Sequence, residues 1–289
     1  MNTMRLRSLL AGVALVLSLV GAKMFRVYRA ARAEFHHEPW SVGPPPADLR
    51  GAEAVSLASR DGSTLRGWWV PPARGATVVL LHGSVSDRRQ LLPEAVLLGG
   101  RGFGVLMFDW PGLGESGGHT TWSTTEPQAL RGALDWIQRR APGQRIGALG
   151  FSRGASILLV TAADDQRLRA LVLEAIILDE DEQVRREYAG WGPISGFAAR
   201  RGMRSAGWDP GSPSPLGVVS RMRGRPLLIV NGTADDVALP SDAQQLFDAA
   251  PEPKRLWLIP GLGHGGYPAA APGQYEETLT SFFRDALEG

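Results

Sequence analysis

The feature that most constrains how this 289-residue chain can fold is a series of short, nearly unbroken apolar runs separated by segments of helical spacing. Residues 76–81 read Ala-Thr-Val-Val-Leu-Leu and residues 104–108 read Gly-Val-Leu-Met-Phe. Runs of this length without polar alternation belong in strands covered on both faces. Further strands are predicted at 145–149, 171–178, 226–230 and 255–259. Residues 91–98, 128–139, 155–163, 242–249 and 275–287 repeat apolar positions three and four apart and predict helices. Residues 53–58 and 65–70 flank the turn Arg60-Asp61-Gly62-Ser63 and predict a hairpin. A leading hairpin followed by repeated strand–helix units implies an α/β architecture, a mostly parallel sheet with helices on both faces. The alternation has one long gap, residues 179–225, with room for a small lid.

Composition removes several classes of chemistry. The chain has no cysteine, which excludes a disulfide framework, a thiol nucleophile, thiolate zinc sites and iron–sulfur clusters. Net charge is +2 and the cations are nearly all arginine, Lys23 and Lys254 being the two lysines. No basic run interleaved with aromatics interrupts the body, so no nucleic-acid partner is expected. The acidic stretch Asp179 to Glu182, followed by Arg185 and Arg186, reads as a helix's first turn with ion pairs one turn on, rather than as a metal site. Trp191, Phe197 and Trp208 fit either an acyl pocket or the underside of a lid, and Trp68 and Trp69 read as strand packing.

The N-terminus stands apart. Arg5 and Arg7 precede an apolar run at 9–22, and Lys23, Arg26, Arg29 and Arg32 follow it. The run predicts an uncleaved single-helix membrane anchor or, alternatively, a signal segment removed on export. The basic stretch after it opposes export and favours the anchor. Residues 1–35 are thus expected to be a membrane-facing segment, 36–51 a stiff proline-rich linker, and 52–289 the catalytic body, with 179–225 as its lid. On this reading, removing residues 1–32 leaves the body intact.

Candidate chemistry lies at the ends of the predicted strands. Gly150-Phe151-Ser152-Arg153-Gly154 sits between a strand and a helix, where a tight turn needs glycines on either side. Gly114-Glu115-Ser116-Gly117-Gly118 matches the same pattern but has no helix behind it. Ser152 is therefore the candidate nucleophile. A serine hydroxyl needs a base, and of the five histidines His264 lies in a glycine-rich loop just after the last predicted strand. An imidazole needs an orienting acid, and Asp235 and Asp236 follow the strand 226–230, between Ser152 and His264 in the chain.

Together, Leu80-Leu81-His82-Gly83-Ser84, the stretch from Phe108 to Ser116, the turn around Ser152, the segment from Gly232 to Pro240 and Gly263-His264 resemble the α/β-hydrolase superfamily, from about residue 52 to residue 287. Within it the chain is most similar to the bacterial serine aminopeptidase and monoacylglycerol-lipase-like set. The resemblance implies a triad of Ser152, Asp235 and His264, with the backbone amides of Ser84 and Arg153 as an oxyanion hole, His82 as a structural histidine and the loop from Asp109 to Ser116 as site-shaping. It implies neither metal nor cofactor. The family spacing selects Asp235 when counted forward from Gly232 and Asp236 when counted back from Pro240. Asp235 is chosen because the turn leaving the strand fixes the acid, while an extra residue farther out is absorbed in the loop.

These features predict a metal-independent serine hydrolase cleaving a carboxylic ester or related acyl bond through an acyl-enzyme, with a small-molecule acyl substrate, lipids among the candidates. The alternatives are a peptidase or thioesterase on the same triad, or a non-catalytic binding or scaffold protein on the same fold, since fold alone does not imply activity.

Overall fold

A computed structural model describes residues 3–288; residues 1, 2 and 289 of the predicted segments lie outside the described residues, as do the side chains of residues 3–6, 8 and 9. The chain begins with helix α1 (Thr3–Ala33), followed by strands β1 (Glu53–Ala58), β2 (Thr64–Val70) and β3 (Ala76–Leu81). Next come α2 (Leu92–Gly100), β4 (Gly104–Phe108), α3 (Thr125–Arg140), β5 (Arg145–Phe151), α4 (Arg153–Asp164) and β6 (Leu168–Glu174). The lid carries α5 (Glu180–Tyr188), α6 (Ser195–Ser205) and α7 (Pro215–Val218). The chain closes with β7 (Leu227–Gly232), α8 (Pro240–Ala249), β8 (Lys254–Ile259), α9 (Tyr267–Ala270) and α10 (Pro272–Glu288).

The eight strands form one sheet in the order β1-β2-β4-β3-β5-β6-β7-β8. β1 and β2 pair antiparallel, as do β2 and β4, and every other pairing is parallel. β3 is buried along its whole length because both faces are covered. Its Val79 and Leu81 join the apolar cluster shared with α3 and α4, while Val78 and Leu80 join the cluster shared with α2 and α10. That split is the two-residue period of a strand. Parallel pairing puts the carboxyl ends of β5, β6, β7 and β8 along one edge, where open α/β sheets bind their ligands.

The strand predicted at 171–178 ends earlier, at Glu174. Ala175 takes φ 47°, which turns the chain out of the sheet, and Ala175 to Leu178 are buried by loop and lid packing instead.

The N-terminal segment also differs from its sequence reading. α1 is one continuous helix, and Leu10–Ala33 is long and apolar enough to cross a membrane. Its two halves have different surroundings. Leu10, Val13, Leu15, Val16, Leu17, Leu19 and Val20 are exposed, whereas Val27, Ala31 and the following Phe35 are buried in the core. α1 crosses α6 closely: a Cβ on Gly202 would come within 2.3 Å of the Tyr28 carbonyl oxygen, so the crossing requires glycine there. Burial of Val27 and Phe35 contributes about 1.5–3 kcal/mol each. The docked half of α1 thus fills the seam beside the lid, a contact that the expected independence of residues 1–32 does not include. Residues 36–51, the expected stiff linker, also lie against the body. Trp40 Nε1 donates to Asp87 at 2.8 Å, the Val42 and Gly43 amides donate to Glu115, and Leu49 is buried.

Candidate active site

Ser152 lies on the turn between β5 and α4 with φ 55° and ψ −126°. This conformation is costly for a residue with a side chain. Its surroundings enforce it. A Cβ on Gly150 would lie 2.6 Å from the Gly154 carbonyl, and one on Gly154 would lie 2.3 Å from the Leu81 carbonyl. Either clash would push α4 off the sheet, which explains the glycine on each side of the elbow. The Ser152 amide donates to the Glu174 carbonyl at 2.8 Å, fixing the turn to the end of β6.

His264 follows β8, and its Nε2 lies 3.2 Å from Ser152 Oγ. Its Nδ1 lies 2.9 Å from Asp235 Oδ2. Asp235 is buried after β7, and its Oδ1 accepts the Val237 and Ala238 amides at 2.9 Å each. Those two bonds close a local turn and leave Oδ2 aimed at the imidazole. Asp236 is exposed. The acid facing His264 is thus the one counted forward from Gly232, and the extra residue is taken up before Pro240. An imidazole held between a carboxylate and a hydroxyl in this way can accept the hydroxyl proton.

Ser84 follows the His82-Gly83 turn at the end of β3. A Cβ on Gly83 would lie 3.2 Å from Ser152 Cβ, so this turn abuts the elbow. The Gly83 amide donates to Gln90 Oε1 at 2.7 Å. Among the described residues neither the Ser84 nor the Arg153 amide has a hydrogen-bond acceptor. Arg153 is the first residue of α4, where a backbone N–H has no partner within the helix.

His82 is buried away from this chemistry. Its Nδ1–H donates to the Gly83 carbonyl at 2.8 Å and its Nε2 accepts the Trp110 amide at 3.1 Å. Burial lowers its pKa to about 4, so it stays neutral. Ser116, the rival pattern match, is a structural tie. Its Oγ donates to the Asp109 carbonyl at 2.7 Å and accepts the Arg66 amide at 2.9 Å. Asp109 accepts the Arg88 and Glu115 amides and pairs with the Arg88 guanidinium, which also pairs with Glu115. The loop around Ser116 is thereby bound to the turn that carries Gln90.

Sequence reasoning missed the side-chain environment of Arg153. Its guanidinium is buried, donates to Glu180 at the start of α5 and pairs with Glu34, just after α1, at 3.3 Å. It also lies 5.7 Å from the centre of the Trp122 ring. Burial alone would lower its pKa, but Glu180 and Glu34 outweigh it and hold the charge. Tyr188 donates to the same Glu34 at 3.1 Å. A charged residue beside the candidate nucleophile was the available signal, but its partners lie 119 and 27 residues away in sequence. Asp179 caps α5 through the Glu182 amide, and Glu182 pairs with Arg185 and Arg186, the helical arrangement expected. Trp208 lines a cavity of about 310 Å³ under the lid, together with Trp122, Ile157 and Ile177. Trp191 and Phe197 are exposed on the outer lid.

A mostly parallel eight-stranded sheet with this constellation at its carboxyl edge has the architecture of an α/β hydrolase. Residues 76–194 match the family described as alpha/beta hydrolase fold. The uncharacterized protein Rv2307c of Mycobacterium tuberculosis is 30% identical over 232 residues, covering 78% of this chain and 77% of that protein. The uncharacterized protein YfhR of Salmonella typhimurium is 27% identical over 299 residues, covering 94% of both. The Pf2001 esterase of Pyrococcus furiosus superposes with a TM-score of 0.74 at 22% identity, over 87% of this chain and 98% of that structure. The chain belongs to the α/β-hydrolase fold family.

Proposed function

We propose that the protein is a metal-independent serine hydrolase that cleaves a carboxylic ester or related acyl bond. The continuous hydrogen-bond chain from Ser152 through His264 to Asp235 carries this reading. Ser152 Oγ attacks the acyl carbonyl carbon while His264 Nε2 takes its proton. The Ser84 and Arg153 amides donate to the oxyanion as charge develops, and being fixed by the backbone they need no reorganisation. His264 then passes the proton to the leaving oxygen, and water repeats the sequence to free the acid. Asp235 keeps the imidazole proton on Nδ1 and stabilises the transient imidazolium. The exposed apolar half of α1 is read as a tether placing this site at a membrane surface.

Labelling with a fluorophosphonate probe, followed by turnover of p-nitrophenyl esters of increasing chain length, tests the reading. Stoichiometric labelling that vanishes in Ser152→Ala is expected. A folded protein that takes up no probe supports a binding or scaffold protein instead, and equal labelling without the Ser152 hydroxyl rejects Ser152 as the nucleophile.

A further inference from the structure

Where α6 crosses α1, the two helices leave an open cleft of about 510 Å³ that the proposed reaction does not use. Tyr28 of α1 lines one side, and Phe197, Arg200, Arg201, Arg204 and Ser205 of α6 line the other. The floor of the crossing is fixed. The Tyr28 hydroxyl donates to Ser205 Oγ at 2.9 Å, and Ser205 donates on to the Gly202 carbonyl at 2.7 Å. Gly202 packs against the Tyr28 carbonyl and the Arg32 amide.

The cleft concentrates positive charge. Arg201 and Arg204 are exposed, and among the described residues neither meets a carboxylate, while Arg200 reaches Asp181 only at 4.0 Å. Arg60, Arg140 and Arg221 elsewhere on the surface do find partners, in Asp135, Glu53 and Asp164. Like charges three and four residues apart on a helix destabilise it, so this grouping is unfavourable unless an anion lies among the guanidinium groups. Their planar forks match the oxygens of a phosphate, two N–H donors at a time.

The position of the cleft selects the source of that phosphate. α1 runs without a break from its exposed apolar stretch into its docked half. Lys23 Nζ lies 3.9 Å from where a Cβ on Gly192 would stand, so the lid chain meets α1 just where the apolar stretch ends. The start of α6 presents Ile194 and Phe197, 49% and 67% exposed. α6 then runs in the same sense as α1, Gly192 lying beside Lys23 and Gly202 beside Tyr28 and Arg32. Phe197 and Arg204 are separated by about 10 Å along the α6 axis. With the apolar stretch of α1 in hydrocarbon, Ile194 and Phe197 stand at the boundary and the arginines at the level of the headgroups.

We propose that this cleft binds the headgroup of an anionic phospholipid, its phosphate held between Arg201 and Arg204 and its net negative charge facing Arg200. A phosphatidylcholine headgroup carries the same phosphate but adds a quaternary ammonium, which the guanidinium groups repel. The bound headgroup fixes how the lid stands over the membrane. It does not hold the body there without α1, since stable attachment takes two signals. That α1 lies in the membrane rests on the tether reading above; the preference of the cleft for an anionic headgroup does not.

The chain has no cysteine, so Ile194→Cys gives a single attachment point for a fluorescent dye beside the cleft. The labelled full-length protein is placed in phosphatidylcholine nanodiscs carrying a small fraction of doxyl-quencher lipid, with either a phosphatidylglycerol or a phosphatidylcholine headgroup. The ratio of the two quenching efficiencies reports which headgroup gathers at the cleft, and a preference of at least about tenfold for phosphatidylglycerol is expected. Arg201→Gln with Arg204→Gln, both exposed and checked by melting curves, should bring the ratio near one. Arg223→Gln with Arg255→Gln removes the same charge beside the amino ends of β7 and β8 and should leave the ratio unchanged. A wild-type ratio near one, or equal losses in the two double variants, overturns the proposal. So does a preference erased by excess inorganic phosphate at constant ionic strength, which would make the occupant a free anion. A protein that does not float with pure phosphatidylcholine vesicles rejects the tether reading instead. The cleft is then judged by flotation on phosphatidylglycerol vesicles, expected for the wild type and lost in Arg201→Gln with Arg204→Gln; no flotation of the wild type there overturns it.

Discussion

Ser152, Asp235 and His264 stand at the ends of β5, β7 and β8, and backbone hydrogen bonds fix the turns that carry them. The opposite wall of the cleft is assembled differently. α1, α5 and α6 meet there across stretches distant in sequence, joined by side-chain ion pairs on Arg153 and by the Gly202 crossing. The first wall is set by the sheet and shares its stability. The second is held by a few contacts that can be removed singly, and it reaches the candidate oxyanion donor through one residue, Arg153. The comparison separates chemistry from positioning: damage to the sheet-borne wall should abolish turnover, while damage to the lid-borne wall should tune it.

The largest effect is expected at the triad acid. Asp235→Asn should keep the fold and lower kcat by around 10⁴-fold, because the imidazole loses both its anion and its tautomer. Asp236→Asn, at an exposed position, should change kcat by less than about tenfold. Steady-state kinetics on a short p-nitrophenyl ester decide it; the larger loss at Asp236 would mean that the acid is the neighbouring residue.

A second test of the sheet-borne wall uses pH. His82 has its folded pKa lowered from 6.5 to about 4. Between those values the unfolded state binds a proton that the folded state refuses, so stability falls as pH falls. The His82 contribution is complete above about pH 6.5 and diminishes toward pH 4, by about 3 kcal/mol in all. Urea unfolding of wild type and His82→Asn across this range should give a slope in the first that is reduced in the second. Parallel slopes would show that other groups govern acid stability.

The lid-borne wall should respond more mildly. Glu34→Gln removes one of the two carboxylates on Arg153 while leaving Glu180 in place. A loss of about 1 kcal/mol corresponds to roughly fivefold, and it should fall on kcat rather than KM, because Arg153 is argued to position the oxyanion amide. Glu34→Asp should recover part of it. A change in melting temperature with kcat untouched would make the contact structural only.

These two walls were unequally legible in the sequence. The buried strand runs, the helix periods and the glycines around Ser152 are local signals, and each constrains its own neighbourhood. The choice of Asp235 over Asp236 was reachable by asking which residue a turn leaving a strand holds fixed. The pairing of Glu34 and Glu180 with Arg153 has no local signature, since nothing in either glutamate's neighbours names a partner across the fold. The same holds for Glu94 and Glu174, 80 residues apart in sequence and both within reach of the Tyr275 hydroxyl. The division of the N-terminal helix is hidden from the sequence for a related reason. Its apolar run and basic flank suggest a single membrane-facing unit, and only the crossing at Gly202 shows that the unit divides.

That division gives the smallest expected change in turnover. Deleting residues 2–22 removes the exposed apolar stretch but keeps Val27, Ala31, Glu34 and Phe35, the residues that fill the lid seam and reach Arg153. If the stretch acts only as a tether, kcat/KM on a water-soluble ester should stay within about twofold of the full chain. The protein should meanwhile move from the membrane pellet to the soluble fraction. Extending the deletion through residue 32 should lower stability, since about 1.5–3 kcal/mol of burial at Val27 is lost and Glu34 is left at a frayed end. The shorter deletion is the informative one because it leaves every described core contact in place. A shortened protein that still pellets with membranes would assign membrane contact to the exposed lid residues Trp191 and Phe197 rather than to the helix. One that loses activity would show that the apolar half of α1 supports the site it was thought only to carry.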